Sequence, residues 1–193
     1  MGNDSVALAS ALICRKHADG ATAIAHTLAR FGAGALNFAL KQRTCVTPLH
    51  RVERYSDASP ALLRLGIDVD AWPAPPAGLF VVEERTVYLR SRSPMTVAHE
   101  FGHALDCALG SGVYLSGIDP RIRHCFTSAM AFVTPYAATG IDEYFAEGLR
   151  AYVEVNDLAS HWPRATKARL RDLDPRLYEY IEQLFLADFK AAA

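Results

Sequence analysis

The stretch SPMTVAHEFGHALDCALG, residues 93–110, constrains this 193-residue chain more than any other, because it reads as one complete amphipathic helix that carries chemistry. Ser93 is a good N-cap, Pro94 suits the first helical position, where no N–H is needed, and Gly110 is expected to stop the helix in a left-handed conformation. Ala98, Phe101, Leu105, Ala108 and Leu109 recur three or four residues apart, a stripe that should face a core. The other stripe holds His99, His103 and Asp106. Residues i and i+4 stack on one helix face, so His99 and His103 can offer imidazole nitrogens to a single ion, with Glu100 beside it. In this H-E-x-x-H arrangement two neutral imidazoles bind Zn²⁺, and the intervening carboxylate, next to the metal without ligating it, takes a proton from the attacking water. Zinc brings the pKa of that water from about 15.7 towards about 7. Gly102 costs roughly 1 kcal/mol against Ala in mid-helix, which implies that a bulky neighbour needs the space.

The rest of the composition narrows the class. With 51% hydrophobic residues the chain can bury a core, and its length fits a single domain over residues 1–193. Net charge is −1 and the basic residues are dispersed among acidic ones, so the electrostatic footprint of a nucleic-acid binder is missing. Cys14, Cys45, Cys107 and Cys125 form no C-x-x-C pair and are expected as buried free thiols. The apolar run near the start is short and its basic residues follow it, unlike a secretory signal, and no stretch approaches the roughly eighteen residues of a membrane span. The expected location is the cytoplasm, or outside by a route without a cleaved signal.

Residues 5–43 have helical apolar spacing, broken near Asp19-Gly20 and Gly32-Ala33-Gly34, which predicts two or three helices. Ser59-Pro60 opens a short helix, and Trp72-Pro-Ala-Pro-Pro76 is a loop. GLFVVEERTVYLR, residues 78–90, predicts a hairpin turning at Glu83-Glu84-Arg85, with an edge on which an extended peptide can add. Val87 and Leu89 should point one way, Thr86, Tyr88 and Arg90 the other. Asp119-Pro120 starts a further helix through RIRHCFTSAMAF, which carries His124, and Thr139 with Asp142 forms a capping-box pattern before YFAEGLRAYVEV. The expected fold is α+β, mainly helical, with a small sheet beside the metal helix.

A catalytic zinc takes three protein ligands and keeps one position open, so the two histidines need a partner. The extended pattern H-E-x-x-H-x-x-G-x-x-H is excluded, since Asp106 stands at the glycine and Leu109 at the last histidine. Glu143 and Glu147 are the economical candidates, both on one helix face with Arg150 and Glu154; the competing reading of that face is a salt-linked, solvated surface. His124 is a lone histidine on a partly apolar helix and more often structural.

GLFVVEERTVYLR, HEFGHALD and TPYAATGIDEYFAEGLR, in that order, resemble the catalytic domain of anthrax lethal factor and its relatives, a branch of the zincin-like metallopeptidases that includes the Pro-Pro endopeptidases. The resemblance covers residues 78–155, leaving 1–76 as a helical N-terminal part outside it and 156–193 as C-terminal helices. It implies that Glu143 is the third zinc ligand, that Glu147 lies behind the ligands where its carboxylate can accept an imidazole N–H, and that Tyr136 faces the metal and donates to the oxyanion of the scissile carbonyl. The activity so implied is zinc-dependent hydrolysis of a peptide or protein substrate with Glu100 as general base, in an enzyme of toxin or effector type. Two other readings use the same residues: a zincin-shaped module that binds a peptide or protein partner without turnover, and an intracellular regulatory metallopeptidase.

Overall fold

Apolar residues at helical spacing in the N-terminal region do fold as three helices, α1 (Gly2–Leu12), α2 (Ala21–Leu28) and α3 (Gly32–Lys41), in the computed structural model, which describes residues 2–189. The two breaks fall at glycines with positive φ, Gly20 (81°) and Gly32 (79°). The chain then enters strand β1 (Cys45–Pro48), which the sequence pattern did not reveal: it has four residues and ends in proline. A single turn α4 (Tyr55–Ala58) and the helix α5 (Pro60–Leu65) follow, the latter capped by the Ser59 hydroxyl on the Leu62 N–H.

The hairpin forms as expected. Strand β2 (Gly78–Val81) passes through a 3-10 turn at Val82–Glu84 into β3 (Thr86–Leu89), with Arg85 left-handed at φ 50°. The sheet order is β1-β3-β2, parallel between β1 and β3 and antiparallel between β2 and β3, so β2 is an edge. Val87 and Leu89 enter the main core with Phe101 and Leu105 of the following helix. The opposite face is no solvent face: Tyr88 and Val81 pack in a second core with Leu49, Tyr55, Leu62 and Val69. Glu84 ties that layer down, its carboxylate accepting from the Ser59 hydroxyl (2.8 Å), the Ala61 N–H (2.7 Å) and the Tyr88 hydroxyl (2.8 Å).

Helix α6 (Pro94–Leu109) follows, with Ser93 capping the Thr96 N–H and Pro94 at the first position. Both of its stripes are buried, Asp106 completely. Gly110 is not left-handed (φ −84°); the positive φ falls on Ser111 and Gly112, and Gly110 is required because a Cβ there would lie 2.1 Å from the Val113 carbonyl oxygen. After the turn α7 (Leu115–Ile118), α8 (Pro120–Ser128) ends four residues before Phe132, where the pattern carried it. The Thr127 and Ser128 hydroxyls donate back to the carbonyls of Arg123 and His124, a competition with the backbone that favours stopping.

Helix α9 (Ile141–Tyr152) crosses α6, and the approach is close because Gly102 lacks a side chain: a Cβ there would sit 3.0 Å from the Ala146 Cα. The neighbour that needs the space is backbone rather than a bulky side chain. Thr139 does not cap α9; its hydroxyl donates to the Tyr136 carbonyl (2.8 Å), and Gly140 takes the N-cap place. Residues 153–166 form a loop, and α10 (Lys167–Leu173) and α11 (Pro175–Gln183) close the core against α9. Among the described residues no helix is long and apolar enough to cross a membrane.

Cys14 and Cys45, expected as thiols, are joined, with Cα atoms 6.1 Å apart, inside the usual range for a bridge. An isolated parallel pairing of Ile13 with Val46 brings the neighbouring cysteines together. Cys107 and Cys125 are free and buried.

Candidate metal centre

The crossing of α6 and α9 assembles the site. His99 and His103 lie one turn apart on α6, Glu143 stands in the first turn of α9, and their donor atoms converge: His99 Nε2 to Glu143 Oε2 is 2.9 Å, His103 Nε2 to the same oxygen 3.2 Å, and the two Nε2 atoms are 3.1 Å apart. Among the described residues these three form the group able to hold a metal ion. Bonds of about 2.0–2.1 Å to a tetrahedral Zn²⁺ put neighbouring ligand atoms about 3.3 Å apart. The observed triangle differs from that by a few tenths of an ångström, so two imidazoles and one carboxylate fit the ion.

Glu143 divides its carboxylate between two tasks. Oε2 faces both imidazoles, and Oε1 accepts from the Tyr136 hydroxyl (3.2 Å). Tyr136 is 43% exposed, in a 3-10 turn at Tyr136–Ala138, and its ring lies 5.3 Å from that of His99. Burial works against charge on Glu143, yet the hydrogen bonds of His103 and His99 outweigh it and hold the carboxyl near 2. His99 shows the reciprocal effect: burial opposes its protonation, but Glu143 and Glu147 raise its pKa to about 10.

Behind the triangle, Glu147 Oε1 accepts the His99 Nδ1–H (2.9 Å), which fixes the tautomer that leaves Nε2 free to ligate. Glu147 is 3% exposed, and its ionised form is held by a two-pronged contact from Arg150, Nε to Oε1 at 2.8 Å and Nη2 to Oε2 at 2.7 Å. The Thr134 hydroxyl adds a fourth donor at 2.5 Å. Arg150 is 1% exposed. Glu147 and Arg150 are therefore interior rather than a solvated salt-linked surface, while Glu143 is partly exposed; Glu154 falls beyond the helix, at φ 57°. His103 is treated differently, since its buried Nδ1 has no hydrogen-bond partner among the described residues.

Glu100 points from the same helix into a cleft of about 270 Å³ that also reaches His99, Tyr136, Gly78 and Trp162. Burial pushes its carboxyl upward, with Glu143 adding to the effect against the pull of His99 and His103. Gly78 makes room for it, because a Cβ there would lie 2.5 Å from Glu100 Cγ. Asp106 stands apart from the ligand group. It accepts from the Ser116 N–H (2.8 Å) and hydroxyl (2.5 Å), pinning the turn after α6, and burial raises its carboxyl to about 6 against those bonds. His124 is exposed on α8, 3.1 Å from Arg176 Nη1, and takes no part.

A three-stranded sheet lies alongside a buried helix bearing two histidines, crossed by a second helix that brings a glutamate. The fold is zincin-like. Among solved structures, the Pro-Pro endopeptidase PPEP-2 from Paenibacillus alvei is similar to this chain with a TM-score of 0.65, covering 92% of this chain and 99% of that one at 20% sequence identity. No family model matches the sequence, and no curated protein matches it. The zincin-like likeness takes in more of the chain than residues 77–193 can supply, so it includes part of the N-terminal region, consistent with β1 being built into the sheet. Thr134, Arg150 and Trp162 were not singled out as site residues by their pattern; only the spacing of Arg150, three after Glu147, was a signal.

Proposed function

We propose that the chain is a zinc-dependent metalloendopeptidase. The observation that carries this is the convergence of His99, His103 and Glu143 within hydrogen-bond distance of one another, with Glu100 beside them at an open cleft. His99, His103 and Glu143 would hold Zn²⁺, since both Nε2 atoms and one carboxylate oxygen already converge on one point. When bound, zinc supplies Lewis acidity, polarising a carbonyl and lowering the pKa of a coordinated water to about 7.

The chain's own groups do the rest. Glu100 accepts a proton from the attacking water and returns it to the leaving amine; a carboxyl held above its ordinary range by burial can carry that proton between the two steps. Tyr136 donates to the developing oxyanion, exchanging its present acceptor on Glu143 for the substrate oxygen. The outer edge of β2, which pairs with no further strand among the described residues, borders the cleft at Gly78, where an extended peptide can pair with it main chain to main chain. Glu147 keeps His99 oriented throughout.

The test measures zinc content by elemental analysis and cleavage of a quenched-fluorescent peptide library. Wild type is expected to hold about one zinc per chain. Glu143→Ala should retain it poorly, whereas Glu100→Gln should keep the metal and lose cleavage. A Glu100→Gln protein as active as wild type would end the peptidase assignment. A wild type that takes up zinc but cleaves nothing would favour the peptide-binding module instead.

A further inference from the structure

Arg150 is the largest fully buried side chain in the described molecule, and an arginine at 1% exposure needs a reason. Two of its nitrogens grip both oxygens of Glu147, the carboxylate that orients His99. The third, Nη1, turns the other way, donating to the Val155 carbonyl (2.9 Å) and to Asn156 Oδ1 (3.2 Å). Asn156 in turn closes the neck of loop 153–166, its side chain donating to the Ala165 carbonyl and accepting the Ala165 N–H, each at 2.8 Å. The loop leans across to the start of α6, where Asp157 accepts from the Met95 N–H (3.0 Å) and the Ser93 hydroxyl. It carries Trp162 to the wall of the cleft that His99 and Glu100 also line.

We propose that Arg150 is a positioning residue that fixes the orientation of the metal ligand His99 and the loop wall bearing Trp162 as one unit. A planar guanidinium is suited to both tasks at once, since its donors leave in fixed directions from one rigid group. This rests on the zinc site proposed above, though on no turnover. Losing the fork leaves Glu147 held by the Thr134 hydroxyl and His99 alone, so the His99 ring is less firmly oriented and metal affinity falls; the Val155 carbonyl and Asn156 Oδ1 at the loop neck lose their donor at the same time.

The experiment measures zinc affinity of the purified full chain by competition with a chromophoric chelator, and loop order by limited proteolysis within residues 157–164. Arg150→Gln is expected to weaken zinc binding on the order of 10- to 100-fold, the size found when a ligand loses the partner that orients it, because Arg150 holds that partner, Glu147, and to speed loop cleavage. Glu147→Gln combined with Arg150→Gln should cost little more than either alone, because both act through the same carboxylate. Asn156→Ala should speed loop cleavage while keeping zinc affinity within about twofold of wild type, since Asn156 touches neither His99 nor Glu147 and the Arg150 fork on Glu147 stays in place. Arg150→Lys, which keeps the charge and lacks the fork, should fall between wild type and Arg150→Gln, and it carries the test if the glutamine variant does not fold.

Arg150 variants that fold cooperatively and bind zinc as wild type does would overturn the proposal. So would fully additive losses in the double variant. If wild type itself binds no zinc, the metallopeptidase reading fails and this inference fails with it; wild-type binding with unaffected Arg150 variants sinks this inference alone.

Discussion

His99 sits between two carboxylates and competes for its own lone pair. Glu143 and Glu147 hold its pKa near 10 despite burial, so at neutral pH a proton and a metal ion contend for the same nitrogen. The sign follows directly: below about 10 the protonated form dominates, metal must displace the proton, and affinity rises with pH by up to about tenfold per unit. Titration calorimetry at pH 7 in two buffers of different ionisation enthalpy is expected to give about one proton released per zinc; a release near zero would mean that His99 is already neutral. Tyr136 offers a separate test. Tyr136→Phe should keep zinc, because its hydroxyl touches Glu143 Oε1 and not the oxygen facing the imidazoles. Its turnover should fall about 10²- to 10³-fold, the usual cost of one oxyanion donor, read as kcat on the best library peptide. At this scale the sequence was most readable for His99, Glu100 and His103, which one helical turn brings together. Glu147 and Arg150 were harder, because a Glu and an Arg three residues apart read equally as surface or interior, and burial is a property of what packs on them.

At the scale of elements the site depends on how close α6 comes to α9. Gly102 sets that distance, since the Ala146 Cα, carbonyl oxygen and Cβ would all lie 3.0–3.2 Å from an added Cβ. Gly102→Val is expected to destabilise the protein by about 1–3 kcal/mol, the usual cost of overpacking. It should also weaken zinc binding by separating Glu143 from the histidines. Urea unfolding with and without zinc reads both effects, and an unchanged midpoint would mean that the helices separate freely. The edge strand has its own constraint at Gly78, 2.5 Å from Glu100 Cγ if a Cβ were added. Gly78→Ala is expected to displace Glu100 and cut turnover while zinc content stays at the wild-type level. The helix around H-E-x-x-H announced itself by Ser93, Pro94 and its apolar stripe. Strand β1 did not: four residues ending in proline carry no period, and its parallel pairing with β3 joins residues 41 positions apart along the chain (Cys45 with Thr86).

Over the whole molecule, the N-terminal region is part of the framework behind the site. Helices α2 and α3 pack in the core that contains Phe101, with the Phe31 ring edge-on to it at 4.9 Å, and β1 completes the sheet beside the hairpin. The bridge from Cys14 to Cys45 ties the end of α1 to the start of β1 across 31 residues of sequence. By loop-closure entropy a link of that span contributes about 3–4 kcal/mol. Adding a phosphine reductant is therefore expected to lower the thermal midpoint, and Cys14→Ser/Cys45→Ser should match the reduced wild type; a midpoint indifferent to reductant would show that the link contributes nothing to stability. By itself the sequence determined what repeats locally: the helical periods, the caps, the hairpin and the two histidines one turn apart, all set by neighbours within a few residues. Only the tertiary structure decided that Glu143 meets both imidazoles through one oxygen, that Glu147 and Arg150 are buried behind them, and that Trp162, ten residues past the end of α9, walls the cleft. Those relations depend on two helices crossing at a glycine and on a sheet joined by distant segments, and no local pattern of side chains encodes the distance between elements.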